Sequence, residues 1–190
     1  GEAAVHVHPD VFIDRIHVFQ EEGQEKKRFV GLPFKKRYLE FLGANFLFNK
    51  EFTEVEKKMY LTGEVPRRTA FEKSDPRLFS EKDGKIGPDV FADDQSLIID
   101  TEKGLFLILG CAHSGLINII NHVVGETGKD KFHAILGGTH LGFLTPEQLE
   151  ETIQVLKKAD IERIGASHFT GMKVAFRLHQ EFGDRFFYGC

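Results

Sequence analysis

The sequence has no tryptophan, only two cysteines and no apolar run long enough to cross a membrane. Cys111 and Cys190 are too few for a disulfide framework, which favours a reducing, cytoplasmic compartment. A membrane-spanning helix needs about 20 apolar residues, and no signal peptide is recognisable. A net charge of −4 excludes a strongly basic surface for nucleic acid. These absences leave a small molecule as the expected partner, with neither nucleic acid nor membrane.

A chain of 190 residues has the size of one domain, and we expect a single domain over 1–190. Residues 4–8 alternate like a strand that has no preceding turn, which indicates that an N-terminal portion of the domain is missing. Pro9 is predicted to start a helix. The apolar face of that helix would comprise Val11, Phe12, Ile16 and Phe19. Residues 20–92 are charged and rich in turn signals, so we expect an irregular insertion there.

From residue 95 the pattern becomes regular. Residues 96–100 and 105–109 are predicted to pair as a hairpin. Three units follow, each with a strand, a turn of small residues that contains a histidine, and an amphipathic helix. The helix of the first unit is predicted to end near Gly125. The helix of the second unit has an N-cap at Thr145 and a capping box closed by Gln148.

Three histidines, His113, His140 and His168, follow the three strands at equivalent places, about one strand-plus-helix unit apart. Ligands gather at such strand ends in sheets flanked by helices. Three imidazoles can hold zinc and leave one coordination position open for water or substrate. A single histidine at a strand end is more often structural. Three at the same topological place favour a metal site.

Other residues near these turns have plainer interpretations. Cys111 could ligate zinc as a thiolate, but such a cysteine is more often a small buried residue, and we favour that role. The adjacent carboxylates Asp93 and Asp94 are expected in a solvated turn, with a role in the site as the less favoured alternative. Ser114 and Thr170 stand at helix N-termini, which attract anions, and a phosphate or carboxylate group of a substrate would fit there.

Several stretches resemble the second half of a metallo-β-lactamase-superfamily domain. Residues 110–115 (Gly-Cys-Ala-His-Ser-Gly) resemble its third metal motif and 167–171 (Ser-His-Phe-Thr-Gly) its last. The closer similarity is to the branch that contains 7,8-dihydropterin-6-methyl-4-(β-D-ribofuranosyl)aminobenzene-5′-phosphate synthase. That branch shares further stretches in the same order along nearly the whole chain. They are 7–10, 62–67, 93–95, 110–118 and 137–141.

The chain departs from the superfamily pattern at three points. The His-x-His-x-Asp-His signature, normally found before the strand at 4–8, is absent from the sequence. Gly138 stands in the apparent place of the bridging aspartate of the fourth motif, with His140 two residues further on. Phe169 follows His168 where this branch often has cysteine, which argues against thiol chemistry at that point.

The resemblance implies a mixed α/β fold, an αββα sandwich of two sheets with helices outside, of which an N-terminal portion is missing here. It implies a metal-dependent hydrolase or pterin-type transferase with one or two divalent metals, zinc first and manganese, iron or magnesium as alternatives. His113 and His168 would be ligands and His140 a third. The acid/base aspartate would lie upstream of Gly1. Arg67 and Arg68 are candidates to hold a substrate phosphate, because a guanidinium fork matches its oxygens, although a solvated surface pair is an equal alternative.

Two other functions stay open at this point. The chain could be a metal-free α/β module whose helix N-termini bind an anionic ligand, or an inactive paralogue. Because the acid/base aspartate is not among the motifs present, we expect the 190-residue chain to bind metal poorly and to lack turnover by itself. We also expect its opening strand to have unpaired edges, which favours association of the chain with itself.

Overall fold

The computed structural model describes residues 3–189 and groups them into two compact units. The first unit comprises residues up to 50 together with 74–93, and the second comprises 51–73 and the residues from 94 onward. Within residues 3–189 the strands are β1 Ala3–Val7, β2 Asp14–Glu21, β3 Gln24–Phe29, β4 Ala44–Phe48, β5 Thr53–Glu56, β6 Met59–Leu61, β7 Leu78–Lys82, β8 Lys85–Pro88, β9 Leu97–Thr101, β10 Gly104–Leu109, β11 Phe132–Gly137, β12 Ile161–Ala166 and β13 Phe186–Tyr188. The α-helices are α1 Lys36–Phe41, α2 Leu116–Thr127, α3 Pro146–Lys158 and α4 Met172–Phe182.

The second unit is built on a seven-stranded sheet in the order β13-β12-β11-β10-β9-β6-β5. β10 to β13 run parallel, whereas β9 pairs antiparallel with β10 as the predicted hairpin. Alternate residues of β10 enter a core shared with α2, α3 and α4. The buried side chains of this core include Leu105, Leu107, Ile119, Val123, Ile153, Leu156 and Leu178. Strand and helix periodicity in the sequence therefore predicts this half of the molecule well.

The helix ends follow local sequence signals. Thr145 and Gln148 form the predicted capping box at the start of α3. Helix α2 continues past the predicted end at Gly125 and stops at Gly128, which adopts the left-handed conformation. Gly125 lies in the last turn of the helix. Glycine permits a helix to end but does not require it, so the helix continues to the left-handed Gly128.

The first unit contains a two-stranded parallel sheet, β1-β4, and a four-stranded antiparallel sheet in the order β3-β2-β7-β8. The helix predicted from Pro9 onward is wrong. Residues Pro9–Phe12 form one turn of 3₁₀ helix, and Asp14–Glu21 is strand β2. β2 pairs with β3 on one side and with β7 on the other. These long-range pairings, with β-branched and aromatic side chains along β2, outweigh the helical spacing of its apolar residues.

The segment 20–92 is more regular than its composition predicts. It contains β3 to β8 and α1, many of them short and largely exposed. Charged side chains on both faces of β3 hide the alternation that identifies a strand. No helix among the residues that the structure describes is long and apolar enough to cross a membrane.

Candidate metal site

The sheet topology brings the three predicted histidine turns to one edge of the second unit. β10, β11 and β12 are adjacent and parallel, so their carboxyl ends lie side by side. His113, His140 and His168 follow these three ends. The placement is the one that parallel strands with crossover helices favour for binding sites.

Backbone hydrogen bonds connect the three turns into one surface. The Gly138 N–H donates to the Gly110 carbonyl at 3.2 Å, and the Ser167 N–H donates to the Gly137 carbonyl at 2.9 Å. The Gly142 N–H donates to the Phe169 carbonyl, also at 2.9 Å. Because each turn is bonded to its neighbour, the positions of the histidine backbones depend on one another.

Each turn contains a residue other than glycine with a positive φ. Ala112 has φ 58°, His140 has φ 54° and Phe169 has φ 57°. This left-handed conformation is sparsely populated by residues with a Cβ and costs on the order of 1–3 kcal/mol at each position. Such residues concentrate at functional sites. Their occurrence at all three strand ends supports a site at this edge.

The histidine side chains form two close pairs rather than one cluster. The ring centroids of His113 and His140 are 4.4 Å apart. His168 Nε2 lies 3.0 Å from Cys111 Sγ, and its Nδ1 lies 3.2 Å from Ser167 Oγ. Among residues 3–189, no three His, Cys, Asp or Glu side chains are positioned to hold a metal ion together. Imidazole nitrogens and a cysteine sulfur are the donor types that zinc prefers. The side chains bring these donors together two at a time, as His113 with His140 and as His168 with Cys111.

Cys111 is half-buried beside His168. Burial, together with the negative charge of Asp94, raises the pKa of the Cys111 thiol. A neutral thiol can donate to the His168 ring nitrogen, whereas a bound metal would deprotonate it. The structural role favoured for Cys111 from the sequence therefore stays a prediction.

Gly138 makes room for the His168 ring. A Cβ built on Gly138 would lie 2.5 Å from the Gly110 carbonyl oxygen and closer still to His168 Nε2. The position that the superfamily pattern assigns to an aspartate is thus closed to any side chain in this arrangement. The His168 ring can take its present position because residue 138 is glycine and not the aspartate of the superfamily pattern.

Three buried polar side chains hold the turn that carries His113. The Asp94 carboxylate accepts a hydrogen bond from the Ser114 N–H at 2.7 Å. Glu72 accepts from the N–H groups of Ile117 and Asn118 at 2.7 and 2.8 Å. The Asn118 amide donates to the Ser114 carbonyl. Glu72 and Asn118 were not found by sequence reasoning, because no local pattern marks a partner 46 residues away.

Glu72 occupies the N-terminus of α2. Its carboxylate binds the free N–H groups of the first turn, where an anion is favoured by the helix dipole. The sequence predicts a substrate anion at this position, near Ser114. The structure provides an anion from the chain itself, and a substrate contact at Ser114, which is buried, stays a prediction.

Replacing Glu72 with glutamine is expected to flatten the pH dependence of stability. Burial raises the pKa of Glu72 above its ordinary value of 4.5, against the opposing effects of its two N–H donors and the Arg67 charge. The folded state therefore holds this proton more tightly than the unfolded chain. Its contribution to the free energy of unfolding is fully present below pH 4.5 and is lost as pH rises through the raised pKa. Urea unfolding of wild type and Glu72→Gln between about pH 4 and pH 7 measures how the free energy of unfolding changes with pH. Equal slopes in the two proteins would show that Glu72 does not cause this pH dependence.

The other predicted substrate-binding residues lie in two places, Arg67 and Arg68 near the start of α2 and Thr170 beside the residue that precedes His140. The Arg68 N–H donates to Asn118 Oδ1, and the Arg67 charge acts on Glu72. A small cavity of about 40 Å³ is lined by Pro66, Arg68, Asn118, Asn121 and His122. The buried Thr170 hydroxyl bonds that of Thr139 at 2.8 Å. Phosphate binding by Arg67, Arg68 and Thr170 stays a prediction.

The solvated turn expected at Asp93 and Asp94 is wrong. Asp94 is buried and bonds Ser114, as described above. Asp93 pairs with Arg15 at 2.5 Å in the first unit, where Arg15 also pairs with Asp89 at 2.6 Å. Burial raises the pKa of Asp93 despite the Arg15 charge. Both carboxylates therefore anchor the chain, because buried charges require partners.

Sequence comparison finds relatives in one archaeon, although no protein-family model matches the chain. The chain is 29% identical over 154 residues to the 7,8-dihydropterin-6-methyl-4-(β-D-ribofuranosyl)-aminobenzene-5′-phosphate synthase of Methanocaldococcus jannaschii, which covers 80% of this chain and 52% of that protein. It is 31% identical over 185 residues to a protein of the same archaeon described as uncharacterised, which covers 96% of this chain and 63% of the relative. The chain thus spans between half and two thirds of the length of these curated relatives.

Structure comparison finds a crystal structure described as a metal-dependent hydrolase of the β-lactamase superfamily. The match covers 100% of this chain and 69% of the other, with a TM-score of 0.84 and 22% sequence identity. At that identity the likeness establishes the fold. The predicted mixed α/β fold of metallo-β-lactamase type is confirmed.

Proposed function

We propose that this chain, which has the metallo-β-lactamase fold and resembles the synthase branch in sequence, supplies the imidazole ligands of a divalent metal site in a hydrolase or pterin-type transferase. His113, His140 and His168 would hold the metal, zinc first. The substrate would be a small molecule that carries phosphate. The synthase similarity supports a pterin compound as the first substrate to assay.

The observation that carries this proposal is the convergence of three histidine turns at adjacent strand ends. Each turn contains a left-handed residue with a side chain, and His113 and His140 are in ring contact. Strained residues of this kind cluster at functional sites, so three such turns side by side favour a binding site over three structural histidines. A bound divalent metal would polarise a substrate oxygen or activate a water molecule.

Residues around the histidines would orient them. Ser167 Oγ lies within hydrogen-bond distance of His168 Nδ1, which fixes the ring and directs Nε2. Asp94, Glu72 and Asn118 hold the turn of His113 through backbone bonds. Partners of this kind tune ligand geometry, and their loss typically lowers metal affinity by about 10- to 100-fold.

The alternative of a metal-free module that binds anions has less support. It relied on free N–H groups at helix N-termini, and those of α2 are bound by Glu72. An external phosphate there would have to displace a buried carboxylate that already makes two hydrogen bonds. Phosphate binding that chelator does not affect would favour the module.

Metal binding by the purified 190-residue chain tests the proposal. We expect zinc to bind weakly but specifically, at roughly one ion per chain, and to be removed by chelator. Hydrolysis of 4-nitrophenyl phosphate and of a lactone, measured in parallel, should stay at the background rate, because no acid/base aspartate is identified among the motifs of the chain. A chain that binds no zinc would contradict the proposed site, and robust turnover would show that the acid/base group is present and was missed.

A further inference from the structure

Two half-exposed phenylalanines stand beside His140. Phe143 is 50% exposed and Phe169 is 48% exposed. Their ring centroids lie 4.8 and 5.7 Å from that of His140 and 5.7 Å from each other. The Phe169 ring also contacts His168 at 5.3 Å. Two apolar rings thus face solvent at the edge of the candidate metal site.

The backbone conformation of Phe169 is strained. A bulky residue with a positive φ, here 57°, is an outlier. Glycine or asparagine would relieve that strain, and a ring that remains half-exposed gains only part of the benefit of burial. A strained conformation that presents an apolar ring to solvent indicates a side chain held ready for a ligand.

We infer that Phe143 and Phe169, whose ring planes are tilted by 53° to each other, form an aromatic platform on which a flat conjugated ring of the substrate stacks against one phenyl face and meets the other ring edge-on. This inference deepens the proposed function and depends on it for the identity of the neighbouring site. Aromatic rings at such separations favour offset or edge contacts with another planar ring. Because His140 touches both phenylalanines and His113, a ring bound on the platform lies next to the imidazole donors.

A protein partner fits this surface poorly. A stable protein interface buries more than about 1,000 Å², far more than two half-exposed phenyl rings provide. A planar ring of a small molecule can contact both phenyl rings and extend towards the neighbouring imidazoles. The platform therefore assigns the substrate to molecules with a flat aromatic or heteroaromatic group.

Fluorescence titration with pterin, a flat and fluorescent heterocycle, tests the platform. We expect Phe143→Leu and Phe169→Leu each to weaken pterin binding by about 3- to 10-fold. Phe169→Gly should lose binding to a similar extent while relieving the positive φ, which separates ring loss from misfolding. Phe106→Leu is the matched control, since Phe106 contacts His133 with the same 4.8 Å centroid separation elsewhere in the unit. It should leave pterin binding unchanged.

Zinc titration of the same variants separates this inference from the proposed function. If the variants still bind zinc but Phe169→Leu binds pterin as tightly as Phe106→Leu, the platform is overturned and the metal site is retained. Ring-dependent pterin binding without any zinc binding would retain the platform and remove the metal site. Wild-type protein that does not bind pterin, or a Phe169→Leu variant that changes only the oligomeric state, would also overturn the inference.

Discussion

Replacing Gly138 with alanine is expected to destabilise the fold by about 2–3 kcal/mol and to weaken zinc binding sharply. The added Cβ would lie 2.5 Å from the Gly110 carbonyl oxygen and even closer to His168 Nε2. The contact with Gly110 cannot be relieved cheaply, because it is made by a backbone carbonyl to which the Gly138 N–H is itself hydrogen-bonded, whereas the exposed His168 ring can rotate away. The turn must move, and the His168 ring must leave its position. Urea unfolding and zinc titration measure the two effects.

Gly125→Ala is the matched control for this variant. Gly125 lies in α2, and a Cβ there meets nothing within 4 Å. Alanine should therefore stabilise the helix by about 0.5–1 kcal/mol and leave zinc binding unchanged. If Gly138→Ala unfolds at the wild-type urea concentration and still binds zinc, the packing of His168 against Gly138 is not what the structure describes.

Replacing His113 or His168 with alanine is expected to reduce zinc affinity by roughly tenfold or more, because each removes one imidazole donor from a site with few ligands. His133→Ala is the control. His133 lies on β11, the strand that leads to His140, and pairs with the exposed Glu162 at 2.7 Å. It should bind zinc like wild type. Equal affinity in His113→Ala, His168→Ala and His133→Ala would contradict the assignment of ligands.

His140→Ala decides the number of imidazole ligands. The sequence makes His140 the least secure donor, because it is offset by two residues from the usual aspartate position. The structure places its ring 4.4 Å from that of His113, which favours participation. If His140→Ala lowers zinc affinity as much as His113→Ala does, His140 is a full ligand. If the decrease in affinity is smaller, His140 holds the His113 ring in place without binding the metal.

The second half of the fold could be predicted because its signals are local. Strands of alternating or continuous apolar residues, the Thr145 capping box and the repeated strand–turn–helix units all lie within a few residues of the elements they define. The equivalent positions of His113, His140 and His168 followed from this regularity. The parallel order of β10, β11 and β12 then brings the three turns to one edge.

The parts that could not be predicted depend on long-range contacts. Strand β2 has helical spacing of apolar residues, but its two strand partners decide its conformation. Glu72 reaches the start of α2 across 45 residues, and the burial of Asp94 depends on Ser114. The pairing of His168 with Cys111, rather than with the other histidines, depends on how side chains pack around Gly138. No sequence pattern in this chain records those contacts.

X-ray absorption spectroscopy of the zinc-loaded chain counts the ligand atoms around the metal and therefore shows whether the histidines bind it. We expect two or three imidazole nitrogens at about 2.0–2.1 Å, with one fewer in His113→Ala and an unchanged spectrum in His133→Ala. A spectrum with oxygen ligands alone, or one that His113→Ala and His168→Ala leave unchanged, would contradict the assignment of these histidines as ligands.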